Sequence, residues 1–523
     1  MVIMSLLSSC DMSVSLSVLL TASAVFSTVS SQTQYWFRPV NSTARFQDEP
    51  DNHEKAEGNL QWKETKDRLM QSLENSQSAQ MRDFLGNISD FVRDLEQTYF
   101  KLGVSPRNTR RLHKALRKAR NKEPVNVLII GGSNSAGGGI DRREGNLEST
   151  YYGVFTRWWR ETMTPITGSE LIVYNIAIGG TGAALFAFCF DAFIPVNQSI
   201  DIVLVELAPN YELPGKAKPL EQLTRRLLTY YSIPEVLYVN AVGMDRKSNP
   251  RCENLEDFGQ TELADYYQIT SFSLKNIICP MVGGQRVENL DIASKMTSKD
   301  GNHISIKAHA YLGRLLINHI REVFLAQIGG NYVLSAGVGL PEPLFLLNPL
   351  EVITNPQCST SVTPNYLQNF YHRTLNIQLL SFRDFTFYVK PYVNFWAKKG
   401  YRPIDRMDKQ RGWLGRVPGA YLKYGVVVPP CRPKINQIQS RSIGVIVHNE
   451  SERGGKGLVY LDQKRHQGIV VDAKTYRGTN DVYTIATRVP PGYHTITVEV
   501  LSEGMLLITG VVVGPPDFCC KFL

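Results

Sequence analysis

VNVLIIGGSNSAGGG, residues Val125 to Gly139, sets a nearly continuous apolar run against a loop of glycine and serine. Such a run suits a strand covered on both faces, as in a parallel sheet flanked by helices. In those sheets ligands gather outside the carboxyl ends of the strands, so the loop is where chemistry is expected. Three uses of a strand-to-glycine junction compete. A phosphate-binding loop requires G-x-x-x-x-G-K-[ST]; Gly132 and Gly137 have the spacing, but Gly138 stands where the lysine belongs. A dinucleotide loop requires G-x-G-x-x-G, which is absent in register. The third use is to expose a nucleophile, and Ser133 follows the strand directly, although the G-x-S-x-G elbow is missing.

Around this stretch, apolar runs alternate with helical patterns. VNVLII (125–130), LIVYNIAI (171–178), DIVLVELA (201–208) and EVLYVNAVG (235–243) read as buried strands. YYGVFTRWWRETM, the segment after Gly182, LEQLTRRLLTYY and the amphipathic stretch 305–327 read as helices between and after them. The repetition predicts an α/β fold, a three-layer αβα parallel sheet of flavodoxin-like type over 124–330. A helical extension over 62–123 precedes it. Within that extension, Arg107, Arg111, Lys114 and Lys118 share one helical face and Leu112, Ala115, Leu116 and Ala119 another. The basic face suits either solvent or an acidic glycan or lipid surface. Past residue 330 the pattern breaks at Gly and Pro clusters, and 331–404 reads as an irregular connector. Seven short alternating runs separated by turn signals then predict an antiparallel β-sandwich over 405–523.

With 523 residues the chain is long enough for two or three domains, and its 43% hydrophobic content is ordinary for a folded protein. A net charge of +9 suits an acidic partner but specifies none, and no nucleic-acid-binding motif accompanies it. Residues 1–31 are apolar and rich in small residues, with Asp11 the only charge before Arg38. They read as a signal peptide or an uncleaved signal anchor, followed by a polar linker over 32–61. The expected localisation is therefore the secretory pathway, extracellular or lumenal, with membrane anchoring through this segment as the variant. Cys189, Cys252, Cys279, Cys358, Cys431, Cys519 and Cys520 follow the leader, without C-x-x-C spacing. Some should pair in an oxidising compartment, in an order the spacing does not reveal. Sequons at Asn41, Asn87, Asn197 and Asn449 permit glycosylation.

A serine hydroxyl needs a base and oxyanion donors before it can attack a carbonyl. NIAIGG ends the second strand in Gly179 and Gly180, ELAPN ends the third in Asn210, and KDGNHIS places Asp300 and His303 before the last long helix. Ser133 in GGS, Gly180 in NIAIGGTG, Asn210 in LAPNYE and the Asp300-x-x-His303 pair together resemble the four ordered blocks of the SGNH hydrolase (GDSL-like esterase) superfamily. The likeness spans about residues 124–327. Two departures stand out: Gly132 replaces the usual aspartate before the serine, and Ala208 and Tyr211 flank the third block.

The resemblance implies a serine esterase with Ser133 as nucleophile, His303 as base and Asp300 as its orienting carboxylate. It implies an oxyanion hole of the Ser133 and Gly180 amides and the Asn210 side chain, and no cofactor or metal. His309 is a rival base. Glu206, on the strand leading to Asn210, is either a paired buried carboxylate or a substrate contact. The sandwich resembles modules appended to such domains, and Trp413, Tyr421, Tyr424 and Tyr460 are either its core or a sugar-stacking surface. The expected partner is an acylated carbohydrate or other ester. Transfer of the acyl group to a sugar, or glycan binding without catalysis, are the alternatives.

Overall fold

The computed structural model describes residues 100–141, 145–210, 217–244, 250–282, 294–330, 339–347, 352–353, 355–364, 374–389, 410–430, 439–450, 452–475 and 478–518, with Asp67 and Gln71. The leader, the polar linker, Tyr211, Cys431, Cys519 and Cys520 lie outside them. No helix among the described residues is long and apolar enough to cross a membrane.

The first sheet is built from β1 (Val104–Ser105), β2 (Val125–Gly131), β3 (Leu171–Asn175), β4 (Ile202–Glu206), β5 (Glu235–Asn240) and β8 (Ser271–Ser273). A two-stranded ribbon of β6 (Gly243–Met244) and β7 (Pro250–Arg251) stands apart from it. Strand order is β1-β8-β5-β4-β2-β3, parallel throughout except for the β1 edge. Side chains on a strand alternate between faces, and β2 shows the consequence. Val125, Val127 and Ile129 pack with α1 (Arg110–Arg120), α2 (Tyr151–Trp158) and α5 (Ile306–Gly329). Leu128 and Ile130 pack on the opposite face with α3 (Ala183–Cys189) and α4 (Ala217–Leu228). This is the three-layer αβα arrangement.

Helix α1 belongs to this body rather than to a separate extension. Its apolar stripe of Leu112, Ala115, Leu116 and Ala119 is buried. The basic side is tethered as well. Lys118 Nζ meets Asp201 Oδ2 at 2.7 Å, Lys114 Nζ donates to the Ser232 carbonyl at 3.0 Å, and Arg107 pairs with Asp265. Arg111 is electrostatically engaged with Glu235, whose carboxyl burial pushes up to about 8 despite that cation. Lys118 and Arg111 thus tie the helix to buried carboxylates, while the Lys114 contact and the Arg107–Asp265 pair lie at the surface.

The second part is a β-sandwich, as expected, but it begins earlier. Its strands are β9 (Gln357–Thr360), β10 (Ile377–Arg383), β11 (Phe385–Val389), β12 (Arg411–Gly415), β13 (Tyr421–Val428), β14 (Gln439–His448), β15 (Lys456–Leu461), β16 (Ile469–Asp472), β17 (Asn480–Val489), β18 (Gly492–Val500) and β19 (Leu506–Phe518). One antiparallel sheet runs β10-β13-β18-β15-β16 and the other β11-β12-β19-β14-β17, with β9 added against β19. The stretch 331–404 is thus not an irregular connector throughout, because β9, β10 and β11 lie in it. β10 and β11 are edge strands that leave Leu379, Leu380, Phe382, Phe387 and Val389 exposed. An edge strand with apolar residues on its open side lacks the period-two pattern that identifies a half-buried strand.

The aromatics divide by position. Tyr424 is buried in the core, whereas Tyr460 donates its hydroxyl to Glu499 at 2.7 Å. Trp413 packs against Phe382 and Phe387, and Tyr421 lies under the Arg383 guanidinium. Of the sequons, Asn197 is exposed, but Asn449 is fully buried and donates to Asp481 at 2.6 Å, which leaves no room for a glycan on the folded chain.

The two parts share a core. Ile353, Val362, Ile446 and Val512 belong to the apolar cluster under α3 and α4, and a Cys189–Cys358 disulfide crosses the same seam. Cys252–Cys279 closes the second pair. Buried Glu221 on α4 accepts the amides of Leu344, Phe345 and Leu346, fixing the chain as it leaves the α/β part. Exposing a large aliphatic side chain costs about 1.5–3 kcal/mol, against about 5–15 kcal/mol for a whole domain. A fragment ending at residue 340 is therefore expected to lack a cooperative thermal transition. A soluble fragment melting sharply near the full chain's temperature would contradict the shared core.

Candidate active site

The residues singled out in the sequence meet at the carboxyl rim of the parallel sheet. Gly131 of β2 stands level with Glu206 of β4, so those two strands finish together, while β3 ends two residues earlier, with Asn175 level with Ile129. Immediately past β2 the chain folds back: Ala136 donates to the Gly132 carbonyl, Gly137 to Asn134 and Gly138 to Ser133. Ser133 is half-exposed on this turn, while Asn134 and Ser135 point into the protein.

Two glycines show how tightly the pieces approach. A Cβ on Gly132 would lie 1.8 Å from Asn210 Nδ2, so any side chain there would displace the third-block amide. In this chain the space a side chain at 132 would take is filled by the Asn210 amide. A Cβ on Gly138 would lie 2.8 Å from the Ser133 carbonyl oxygen and 2.9 Å from His303 Nε2. The serine turn and the tip of the imidazole therefore close on the same point, from segments 170 residues apart in the chain.

His303 and Asp300 occupy a short loop before α5. Asp300 Oδ2 and His303 Nδ1 are 2.7 Å apart. The other carboxylate oxygen accepts the Ser298 hydroxyl and the amides of Asn302 (2.8 Å) and His303 (3.1 Å). Burial alone would raise the Asp300 pKa, but the His303 hydrogen bond and charge, with the Ser298 and Asn302 donors, hold it well below the usual carboxylate range. An ionised Asp300 can only accept, so the histidine hydrogen sits on Nδ1 and Nε2 is the accepting nitrogen. The rival His309 has a different setting. It is fully buried, stacked on Tyr151, with the Tyr151 amide donating to its Nδ1 at 3.4 Å. Burial, and secondarily the His303 charge, lower its pKa to about 3.

The donors are arranged around the serine. Asn210 ends the turn after β4; its side-chain NH₂ donates to the Thr181 carbonyl at 3.0 Å and faces Gly132. An NH₂ group has a second hydrogen to offer. Gly180 is half-exposed in the turn after β3. Among the described residues, no hydrogen bond engages the main-chain N–H of Ser133 or of Gly180.

Several contributors carry no signal in the linear pattern. Asn134, Ser135, Tyr151 and Ser298 look like ordinary loop or helix residues in the sequence. From the sandwich, buried Asn480 donates to the Thr181 hydroxyl at 3.5 Å, reaching the loop that carries Gly180. Glu206 is 1% exposed beneath the serine turn, which makes it a partnered interior carboxylate rather than a substrate contact. Burial pushes it up to about 7, against the opposing hydrogen bonds of Ser135, Asn134 and Gly132.

No protein-family model matches the chain, and no curated protein matches it. Among solved structures, it is similar to a two-domain esterase active on acetylated mannans, at 18% identity and a TM-score of 0.53, over 80% of this chain and 99% of that one. The same esterase co-crystallised with mannopentaose matches at 17% identity and a TM-score of 0.53, over 79% and 98%. The likeness extends over both parts of the chain: this protein has the fold of an α/β esterase with an appended β-rich domain.

Proposed function

We propose that this protein is a serine esterase that removes acyl groups from a carbohydrate, with Ser133, His303 and Asp300 as its catalytic residues. The observation that carries the reading is the convergence of a half-exposed serine, an aspartate-oriented imidazole and unengaged amide donors at one rim of the sheet. His303 Nε2 takes the Ser133 proton as the hydroxyl oxygen attacks the ester carbonyl, then returns it to the leaving sugar alcohol. The developing oxyanion is held by the Ser133 and Gly180 amides and the Asn210 side chain. Water then hydrolyses the acyl-enzyme by the same steps. The likeness in fold to an esterase of acetylated mannans favours a small acyl group, acetyl first, on a glycan. The two disulfides support passage through an oxidising compartment.

Acetate release from acetylated oligosaccharides tests this reading. Turnover by the purified protein is expected. Asn210→Ala should lower kcat on the order of 10²–10³-fold, as loss of one oxyanion donor does. An added acceptor sugar that captures the acyl group would identify a transferase instead. No turnover on any acyl ester, with no labelling by a fluorophosphonate, would leave a non-catalytic glycan-binding protein.

A further inference from the structure

The buried groups under the serine turn form a directional chain. Glu206 Oε2 accepts the Ser135 hydroxyl at 2.9 Å and the Ser135 amide at 3.3 Å, and Glu206 Oε1 accepts Asn134 Nδ2 at 3.5 Å. Asn134 Oδ1 accepts the Ile304 amide at 3.3 Å. Ile304 directly follows His303, and Asn134 directly follows Ser133. Ser135 Oγ also contacts the Tyr151 hydroxyl at 2.9 Å; since its own hydrogen goes to Glu206, Tyr151 donates here. Asn175 Nδ2 on β3 holds the Ser135 carbonyl at 3.2 Å. In its ionised form Glu206 accepts from each of its Asn134 and Ser135 partners.

We propose that Glu206 and Asn134 are positioning residues that clamp the serine turn to the histidine loop, and that the orientation of the Asn134 amide sets the distance between nucleophile and base. The inference rests on the esterase reading. The main-chain Ile304 N–H can only donate, and it fixes Oδ1 toward itself. The NH₂ end must then face Glu206, which requires an acceptor there. A carboxylate supplies one on each oxygen; an amide at 206 would put a donor against either the Asn134 NH₂ or the Ser135 main-chain N–H, which, unlike the Ser135 hydroxyl, cannot accept. If Asn134 turned over to suit, it would present hydrogens to the Ile304 N–H. The clamp therefore admits only combinations in which donors and acceptors alternate from Ser135 to Ile304.

That rule makes an unusual demand. Glu206→Gln creates a donor–donor conflict at any pH, whereas Asn134→Asp sets two carboxylates face to face and breaks the alternation only at a pH high enough to ionise both, so the kinetics are read on the alkaline side of neutrality. The double variant restores it. The introduced glutamine would accept Ser135 on its oxygen while its NH₂ donates to the introduced aspartate, whose second oxygen accepts the Ile304 amide. Like the wild type, and unlike either single variant, the double variant keeps one carboxylate in this buried pair.

The test is a double-mutant cycle on the full chain, read as kcat and KM for an acyl ester with thermal melting alongside. Each single variant should lose kcat on the order of 10–100-fold with KM nearly unchanged, because misplacement of reacting groups affects the chemical step. The double variant should recover most of the loss. Equal activity of the singles and wild type, or a double variant no better than the worse single, overturns the clamp. If the singles do not fold, recovery of a folded, active double variant supports it, and failure of the double variant to fold overturns it. Inactivity of the wild-type protein would instead overturn the esterase reading, so the two failures are distinct.

Discussion

Replacing Ser133 with alanine is expected to lower kcat for ester hydrolysis on the order of 10⁴–10⁶-fold, because the nucleophilic oxygen is lost while the surrounding donors remain. The fold should be unaffected. Ser133 is half-exposed on a turn already closed by main-chain hydrogen bonds from Ala136, Gly137 and Gly138. KM should change little, since on the proposed reading the oxyanion donors stay in place. Steady-state kinetics with a melting curve check this, and fluorophosphonate labelling of wild type should vanish in the variant. Retention of more than about a hundredth of wild-type kcat would reject Ser133 as nucleophile.

Asp300→Asn is the second large effect. Asparagine can keep an oxygen toward Ser298 and the Asn302 and His303 amides, so the loop should hold its shape. Its NH₂ then faces His303 Nδ1, which must accept, and the ring hydrogen moves to Nε2. The nitrogen that should take the serine proton already carries one. A loss on the order of 10⁴ in kcat follows, with near-normal KM. The pH dependence of stability has a definite sign. The folded pKa of Asp300 is depressed, so its stabilising contribution is complete above the unfolded carboxylate value and is lost only as pH falls through the lower folded one. Asp300→Asn should therefore reduce the wild-type loss of stability at the acid end. An unchanged acid-unfolding midpoint, measured by circular dichroism, would contradict the assigned environment of this carboxylate.

How much was readable in advance differs by element. The central strands were legible because they are buried on both faces, and their short apolar runs, rich in Val and Ile and bounded by turn residues, favour strand over buried helix. β1 and β8 were not, since two- and three-residue strands carry no period. β10 and β11 were hidden by their exposed apolar side chains at the sandwich edge. The burial of the apolar face of α1 was legible from spacing, but the tethering of its basic face was not, because Asp201, Ser232 and Asp265 come from distant segments. In the candidate site, Ser133, Gly180, Asn210, Asp300 and His303 were marked by their positions after strands and before a helix. Asn134, Ser298 and Asn480 act through partners that sequence adjacency does not reveal.

By itself the sequence determined which residues could attack, accept and donate, and that alternating buried strands and helices would bring their loops to one rim. Those properties are local: residue type, hydrophobic period and the start or end of an element. Only the tertiary structure decided that Gly132 must lack a side chain to admit Asn210, that His309 is sealed against Tyr151 while His303 closes on the serine turn, and that Glu206 lies inside rather than in the cleft. It also decided that the sandwich shares a core with the α/β part. Each of these depends on the close packing of segments far apart in the chain, where a single Cβ or one amide's orientation determines the fit.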